Sequence, residues 1–244
     1  MSALGHYLEE AGIASVAIAL IRPQAERTKP PRALWVPFEL GRPIGPPSDA
    51  AFQRRVILAA LGLLGASKAQ SLIGDFPEDD PREVDDPAWR GPESLHPNPP
   101  ALAGEGADLA EALEAELRAL APAYAESCMR RERSTVGLLG IAPAACGEFM
   151  AAWLRGEGPE SPVAGMSPLL ALRFAADDLK AFALEAALAG GGKPSSKQLG
   201  DWLWGGTALG VALDTIRRRL SAGDDERGKV VAPFFVPALR IRPD

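Results

Sequence analysis

Hydrophobic residues in the first third of the chain fall into two short runs, separated by a charged segment that ends in prolines. The first run, IASVAIALI at residues 13–21, is rich in small and β-branched residues, which is typical of a buried strand. The second, ALWVPFEL at residues 33–40, also predicts a strand, in which Pro37 favours an edge position, a bulge or the strand end. A short helix precedes the first run and ends at Gly12, since glycine adopts the left-handed conformation at little steric cost.

The corner after the second run is polar and rigid, with the sequence GRPIGPPSD at residues 41–49. Either Ser48 or Asp49 can cap the helix that follows at residues 50–66. Apolar residues recur along it at helical spacing, namely Phe52, Val56, Ala59 and Leu63. Helix, strand, loop, strand, loop and helix in this order form the end of an α/β layer.

Residues 74–104 interrupt this pattern, because they are rich in acids and prolines and have little periodicity. We expect an extended surface linker, since such a composition buries little apolar area. The acids lack the glycine-punctuated spacing of a calcium loop, which favours a solvated linker over a cation site. Trp89 is the one residue that could anchor this linker to a folded surface.

Helical periodicity dominates the middle of the chain. Residues 107–132 predict an amphipathic helix that Pro122 kinks or ends. STVGLLGI at residues 134–141 predicts a strand, which could rejoin the first sheet, and residues 142–158 predict a helix with Pro143 near its first turn.

Two long helical stretches follow. The first, at residues 166–189, stops at three glycines. The second, at residues 194–222, begins with Ser195 as N-cap and Gln198 as its capping-box partner. Gly205–Gly206 in its middle either kinks the helix or lets another backbone approach. The apolar, proline-interrupted tail is expected to pack as an extended strap.

Together these patterns predict an α/β protein. It has a small, mostly parallel sheet fragment with helices, plus a mainly helical C-terminal part that forms a hairpin or a bundle. The predicted segments are an α/β segment at 1–73, the acidic, proline-rich linker at 74–104, a helix with a strand–helix unit at 105–160, and a helical hairpin with an extended strap at 161–244.

Charge and composition argue against two classes of partner. The 244 residues carry a net charge of −6, so a nucleic-acid partner is not expected, because phosphates repel such a surface. The arginines at positions 130, 131 and 133 favour a solvated face or a helix C-terminal cap over a phosphate site. No apolar run approaches the ~20 residues of a membrane span, and no basic segment precedes Glu9 and Glu10 as in a signal peptide. We therefore expect a soluble, cytoplasmic protein without a membrane partner.

Few residues offer a metal, cofactor or hydrolase site. His6 and Glu10 stand four apart on a helix, but two ligands make a weak site, so no metal is expected. His96 has no ligand neighbours, and the sequence contains no GxSxG elbow, which argues against hydrolase chemistry. No GxGxxG spacing and no Walker lysine is present, and no cofactor is expected.

The two cysteines are the candidate catalytic residues. Cys146 lies in the first turns of a predicted helix, where the helix N-terminus lowers a thiol pKa. Cys128 precedes the arginine cluster, which would act in the same direction. The alternative is that both are buried, inert thiols, since free cysteine packs as a small hydrophobe.

One block, residues 8–64, carries a family resemblance. Its first helix ends in the turn Gly12–Ile13, two strands follow, and the second leads to an LGxP corner and a helix; here the corner is Leu40–Gly41–Arg42–Pro43. The block resembles the C-terminal end of component B (selenoprotein B) of the glycine, sarcosine, betaine and D-proline reductases. It covers about a quarter of the chain, and the helical C-terminal half lies outside it.

The resemblance implies a reductive C–N cleavage, in which a selenocysteine or cysteine motif upstream of the first helix attacks the substrate. The chain starts at Met1, after the place of that motif, and neither Cys128 nor Cys146 matches it. We therefore expect a reductase-like subunit or accessory protein. Its expected partner is a complementary reductase subunit that supplies the redox thiol or selenol, or a second copy of the chain.

Glu39 and Arg42 are the candidate substrate-binding residues. Open α/β sheets bind ligands where a strand end meets a helix N-terminus, and Arg42 could pair bidentately with a carboxylate. The alternative is that the prolines set a tight connection and Arg42 is solvated. Two other functions stay open: a stand-alone enzyme that uses one of the cysteines as a thiolate, and a non-catalytic small-molecule binding or scaffold protein.

Overall fold

The chain divides into two units, Met1–Val84 (unit 1) and Asp85–Asp244 (unit 2). The structure is a computed structural model that describes residues 2–66, 71–81, 83–92, 106–190, 192–237 and 240. Unit 1 contains a small parallel sheet with helices and unit 2 is helical, so the predicted fold class is confirmed. The four segments predicted from the sequence stay a prediction, and the division at Val84 falls inside the predicted linker.

Unit 1 is built around three short parallel strands. Its elements are α1 (Ser2–Glu10), β1 (Ala17–Ala19), α2 (Arg22–Thr28), β2 (Arg32–Trp35), α3 (Ala50–Gly62), a 3₁₀ turn (Leu63–Gly65) and β3 (Leu72–Asp75). The strand order is β1-β2-β3, with Ala17 beside Ala33 and Arg32 beside Leu72. Both predicted strands are therefore present, and they are neighbours in the sheet.

The core of unit 1 lies between the sheet and α3. Phe38, Phe52 and Phe76 pack against one another with tilted or edge-on rings, whose centroids lie 5.5, 5.8 and 5.9 Å apart. Val36 and Val56 are fully buried in the same cluster. The cluster joins the ends of two strands to one helix, so it fixes where the connections after those strands lie.

Two parts of unit 1 differ from the sequence-based expectation. The charged segment after the first strand contains helix α2, because Pro23 fits the first turn and Arg22 pairs with Glu26 one turn on. Strand β3 extends into the start of the predicted linker. It has only two apolar residues, Leu72 and Ile73, which are too few for a strand pattern beside the acidic segment that follows. Backbone pairing with β2 stabilises this strand instead.

Unit 2 is a bundle of helices. Its elements are α4 (Ala107–Arg131), α5 (Pro143–Arg155), α6 (Pro168–Ala187), α7 (Ser196–Gly206), α8 (Ala208–Ala222), α9 (Glu226–Val231) and a 3₁₀ turn (Ala232–Phe234). Helices α4, α5, α6 and α8 share one core, whose largest fully buried side chains include Leu113, Leu120, Met150, Leu172 and Leu213. Helix α4 continues to Arg131, so the prediction that Pro122 could end it is wrong. None of the helices in the described ranges is long and apolar enough to cross a membrane.

The predicted strand at residues 134–141 is a loop. Its backbone N–H groups at Gly137, Leu138 and Leu139 donate to the buried carboxylate of Asp178 on α6, at 2.8, 2.8 and 2.9 Å. A strand needs those N–H groups for a neighbouring strand, and here a side chain takes them instead. The prediction of a second strand–helix unit is therefore wrong, although the helix that follows is present as α5.

The long helix predicted at residues 194–222 is two helices. Ser195 and Gln198 form the predicted capping box at the start of α7. Thr207 then interrupts the helix and caps α8 by accepting the N–H of Gly210 at 2.9 Å. The carboxylate of Glu116 on α4 accepts two further N–H groups of the α8 first turn. A side chain distant in the sequence therefore stabilises the start of α8.

Two segments that the sequence predicts to be extended, the linker around Trp89 and the C-terminal tail, make defined contacts or helices in unit 2. Trp89 donates its Nε1–H to the carbonyl oxygen of Ala187 at 3.4 Å and packs edge-on against Trp202, which makes it the predicted anchor. The tail forms α9 and a 3₁₀ turn through Phe234, so the extended strap is wrong for these residues. Asp225 caps α9 by accepting the N–H of Arg227 at 2.9 Å, which starts a helix the composition did not indicate.

Candidate functional site

The corner that follows β2 is the place where the sequence predicts a binding site. Two consecutive turns build it, since Arg42 N–H donates to the Glu39 carbonyl and Gly45 N–H donates to the Arg42 carbonyl, each at 3.0 Å. Gly41 and Gly45 both have positive φ angles, of 94° and 87°. A Cβ at Gly45 would also overlap the ring of Phe52, so glycine is required there for both conformation and space.

Helix α3 begins directly after this corner. Asp49 caps it by accepting the N–H of Phe52 at 2.9 Å, which makes Asp49 the cap among the two predicted candidates. Ser48 instead has a positive φ angle of 63°. The polar, proline-rich sequence of the segment between the strand and the helix therefore serves to form two turns and a helix cap.

The two candidate substrate-binding residues lie on the outside of this corner. Glu39 and Arg42 are both exposed, and one turn connects them. The Arg42 Nη1 atom lies 3.5 Å from Asp80 Oδ2 and 3.5 Å from Glu83 Oε1, both in the segment after β3. The Asp80 side chain is 1% exposed, whereas that of Arg42 is 44% exposed.

These contacts set the charge of the corner. One guanidinium faces two carboxylates at long ion-pair distances, with Glu39 as a third acid nearby in the chain. A carboxylate ligand would therefore have to compete with Asp80 and Glu83 for Arg42. A ligand with both a carboxylate and an amine could contact the guanidinium of Arg42 and the acids around it, whereas a simple acid could contact only the guanidinium.

Sequence reasoning missed Asp80 and Glu83, because it placed them in a solvated linker. The signal that could have found them is position: they follow β3, and parallel neighbouring strands end at the same edge of a sheet. Without β3 in the predicted topology, that signal could not be used.

Cys146 is fully buried in α5. Burial raises the pKa of its thiol to about 12, and the nearby carboxylate of Asp178 acts in the same direction. The predicted lowering of the pKa by the helix N-terminus is wrong, because loss of hydration outweighs the helix dipole here. A thiol with this pKa is protonated at neutral pH and is a poor nucleophile.

Cys128 lies half-buried on α4, and both cysteines are free. Arg130, in the arginine cluster after it, donates to the carbonyl oxygens of Ala189 and Leu188 at 2.7 and 2.6 Å. Arg130 thus covers the C-terminal end of α6, which is one of the two roles predicted for the cluster.

The histidines lie apart from these residues. The His6 ring Nε2 lies 3.0 Å from the carbonyl oxygen of Lys29, and Glu10 is exposed. His96 lies outside the described residues. In the described ranges, no three His, Cys, Asp or Glu side chains come together in a way that could hold a metal ion.

A second feature of unit 1 is the outer face of α3. Phe52, Val56 and Ala60 face the core at four-residue spacing. The opposite side carries Ile57, Leu58 and Leu61, which are 43%, 55% and 49% exposed. Three large aliphatic side chains therefore share one exposed face of the helix. We call these three residues the α3 outer face.

Comparison with known proteins adds no family assignment, since no family model, no curated protein and no solved structure matches the chain.

Proposed function

We propose that the protein is a reductase-like subunit or accessory protein related to component B of the glycine, sarcosine, betaine and D-proline reductases. It would act with a partner, and the redox thiol or selenol would come from outside these 244 residues. Two observations support the proposal from within unit 1. The block that carries the resemblance contains the adjacent parallel strands β1 and β2, and the sequence of unit 1 has no cysteine.

The α3 outer face is the observation that carries the proposal. Residues Ile57, Leu58 and Leu61 stay exposed while the opposite side of the same helix is buried in the small core of unit 1. Subunit interfaces bury such apolar centres, whereas isolated surfaces rarely keep them together. The α3 outer face would therefore be the contact with the thiol- or selenol-bearing subunit.

In such an assembly the Glu39–Arg42 turn would hold the substrate. Arg42 would bind the substrate carboxylate, and Glu39 with Asp80 and Glu83 would offset the charge of its amine. Cys146 would take no part, because its thiol is buried and protonated.

Co-expression tests the proposal. The tagged chain is produced together with a component that carries the redox cysteine or selenocysteine motif, encoded next to it in the genome, and the complex is analysed by size-exclusion chromatography. We expect co-elution, and loss of co-elution in Leu58→Glu. Leu170→Glu, an exposed leucine on α6, is the matched control and should co-elute like the unaltered chain. A monomer that binds no thiol- or selenol-bearing component would overturn the proposal.

Small-molecule binding without catalysis is the second candidate function. It is favoured by the exposed Glu39–Arg42 turn, which presents an acid and a cation to solvent on one tight connection. Thermal-shift measurements with small amino acids and carboxylates test it. Stabilisation that is lost in Arg42→Gln supports it, and no stabilisation by any of these compounds counts against it.

A further inference from the structure

A cavity of about 410 Å³ lies within unit 2, between α4, the start of α5 and α6. Its wall is mostly apolar and includes Leu117, Tyr124, Pro143, Gly147 and Phe182. A volume of this size falls in the range of small-molecule sites. It belongs to the helical half of the chain, and none of its lining residues is in the block that carries the family resemblance.

Packing fixes the shape of this cavity. A Cβ at Gly147 would overlap the Leu117 Cδ1 atom, so glycine lets α5 approach α4 at the floor of the cavity. The rings of Tyr124 and Phe182 lie with centroids 4.7 Å apart at 45°. The Tyr124 hydroxyl is held 2.9 Å from Ser134 Oγ. The cavity therefore offers a rigid aromatic wall rather than a loose gap.

Two charges of opposite sign stand at the mouth of the cavity. Arg118 on α4 and Glu148 on α5 both line it and are both exposed. Neither forms an ion pair or a side-chain hydrogen bond with any described residue. Glu114 also lines the mouth, but it is engaged with Arg155 at 2.8 Å. The mouth thus presents one guanidinium and one carboxylate on facing helices, neither of them engaged by a side chain in the described ranges.

This combination selects among ligand classes. A phosphate-rich ligand such as a nucleotide needs several cations, and the mouth has one that is free. A fatty acid would place its carboxylate beside the charge of Glu148. A zwitterion with an apolar body meets both charges and fills the apolar wall. An aromatic side chain matches the Tyr124 and Phe182 rings, since aromatic rings gain from tilted contact beyond the area they bury.

We propose that this cavity binds an aromatic α-amino acid. Its ring lies against Tyr124 and Phe182, its carboxylate pairs with Arg118, and its ammonium group pairs with Glu148. The site is independent of the proposed reductase role, because none of its residues belongs to unit 1.

Titration calorimetry with L-tryptophan and L-phenylalanine on the full chain tests the site. We expect saturable one-site binding. Indole-3-propionate, which lacks the ammonium group, and tryptamine, which lacks the carboxylate, should each bind about tenfold more weakly or worse, as loss of one charge-assisted contact predicts. Equal binding of all these compounds, or no saturable binding of either amino acid, would overturn the proposal.

Variants assign the contacts. Arg118→Gln and Glu148→Gln should each weaken L-tryptophan binding about tenfold, and Ala121→Trp, which places a large ring at the mouth, should abolish it. Arg54→Gln on α3 and Glu10→Gln on α1 are matched exposed controls and should bind normally. All five positions are exposed, so circular dichroism melts should stay unchanged. Unaltered binding by both Arg118→Gln and Glu148→Gln would place the ligand elsewhere and refute the site.

Discussion

Units 1 and 2 differ in how much of their hydrophobic surface they bury. In unit 2, four helices share a continuous core. In unit 1, a small cluster of buried residues around three phenylalanines serves the whole α/β layer. Most of the exposed large hydrophobic side chains lie in unit 1: Leu4, Tyr7, Ile13, Ile21, Leu40, Ile57, Leu58, Leu61 and Val84. The smaller unit therefore leaves more of its large hydrophobic side chains exposed, as expected of a small core.

The units also differ in their use of buried acids. Unit 2 buries Glu116, Asp178 and Glu185, and each accepts backbone N–H groups from a loop or a helix start. In unit 1 the deeply buried Asp80 lies near the Arg42 guanidinium instead. The buried acids of unit 2 thus replace backbone partners, whereas Asp80 in unit 1 lies beside a cation at the candidate site.

Among the substitutions that test the difference between the two units, Asp178→Ala is expected to cause the largest loss of stability. Three N–H groups of the loop at residues 134–141 would lose their common acceptor, and the buried one, at Leu139, would be left unpaired, which is costly. We expect a loss of about 4 kcal/mol in the unfolding free energy of unit 2. Urea unfolding followed by circular dichroism measures it. Asp178→Asn keeps one acceptor oxygen and should lose less; an equal loss in both variants would contradict the role of the carboxylate.

The second prediction addresses unit 1. Phe52→Ala removes one of the three packed rings, and we expect a loss of about 3 kcal/mol. In so small a core this should unfold unit 1 while unit 2 stays folded. Limited proteolysis should then remove residues of unit 1 first. Cooperative loss of both units at one denaturant concentration would show that they do not unfold separately.

The parts of the fold that the sequence predicts are those whose determining residues lie close together in the chain. Gly12 at the end of α1, Asp49 before α3 and Ser195 with Gln198 before α7 were found, because caps act within four residues. The loop at residues 134–141 was not found, since its acceptor Asp178 lies about forty residues away in the chain.

The candidate site shows the same division. Glu39 and Arg42 could be named from the strand, the corner and the helix that surround them. Asp80 and Glu83 could not, because an acidic run has the same sequence pattern whether it is solvated or paired with a distant arginine. At Gly205–Gly206 the sequence predicts a kink or a close backbone approach, but not the break at Thr207, since the partner of that break, Glu116, is on another helix.

A third prediction concerns the pH dependence of unit 2. Burial raises the pKa of Glu116 from 4.5 to about 6, against the opposing effect of the N–H groups of Leu209 and Ala208. The folded state therefore holds this proton more tightly than the unfolded state. The stability from this group is complete below pH 4.5 and is lost as the pH rises through about 6, a change of about 2 kcal/mol.

Glu116→Gln tests this assignment, because the variant has no proton to lose at that position. Urea unfolding gives the unfolding free energy at pH 4.5 and at pH 7. The difference between these two free energies should change by about 2 kcal/mol between the unaltered chain and Glu116→Gln. Glu111→Gln, an exposed residue on the same helix, should leave the difference unchanged. An unchanged difference in Glu116→Gln would mean that another group titrates in this range.

The smallest effect on stability is expected from Arg42→Gln. Its side chain is 44% exposed and its guanidinium lies at the long distance of 3.5 Å from each of two acids, so solvent screens both pairs, and we expect a contribution of about 0.5 kcal/mol or less although the Asp80 carboxylate is buried. A change that small, measured by urea unfolding, leaves Arg42 without a structural reason for its place in the corner. Its effect would then fall on ligand binding, and a large loss of stability would instead make Arg42 a structural partner of Asp80.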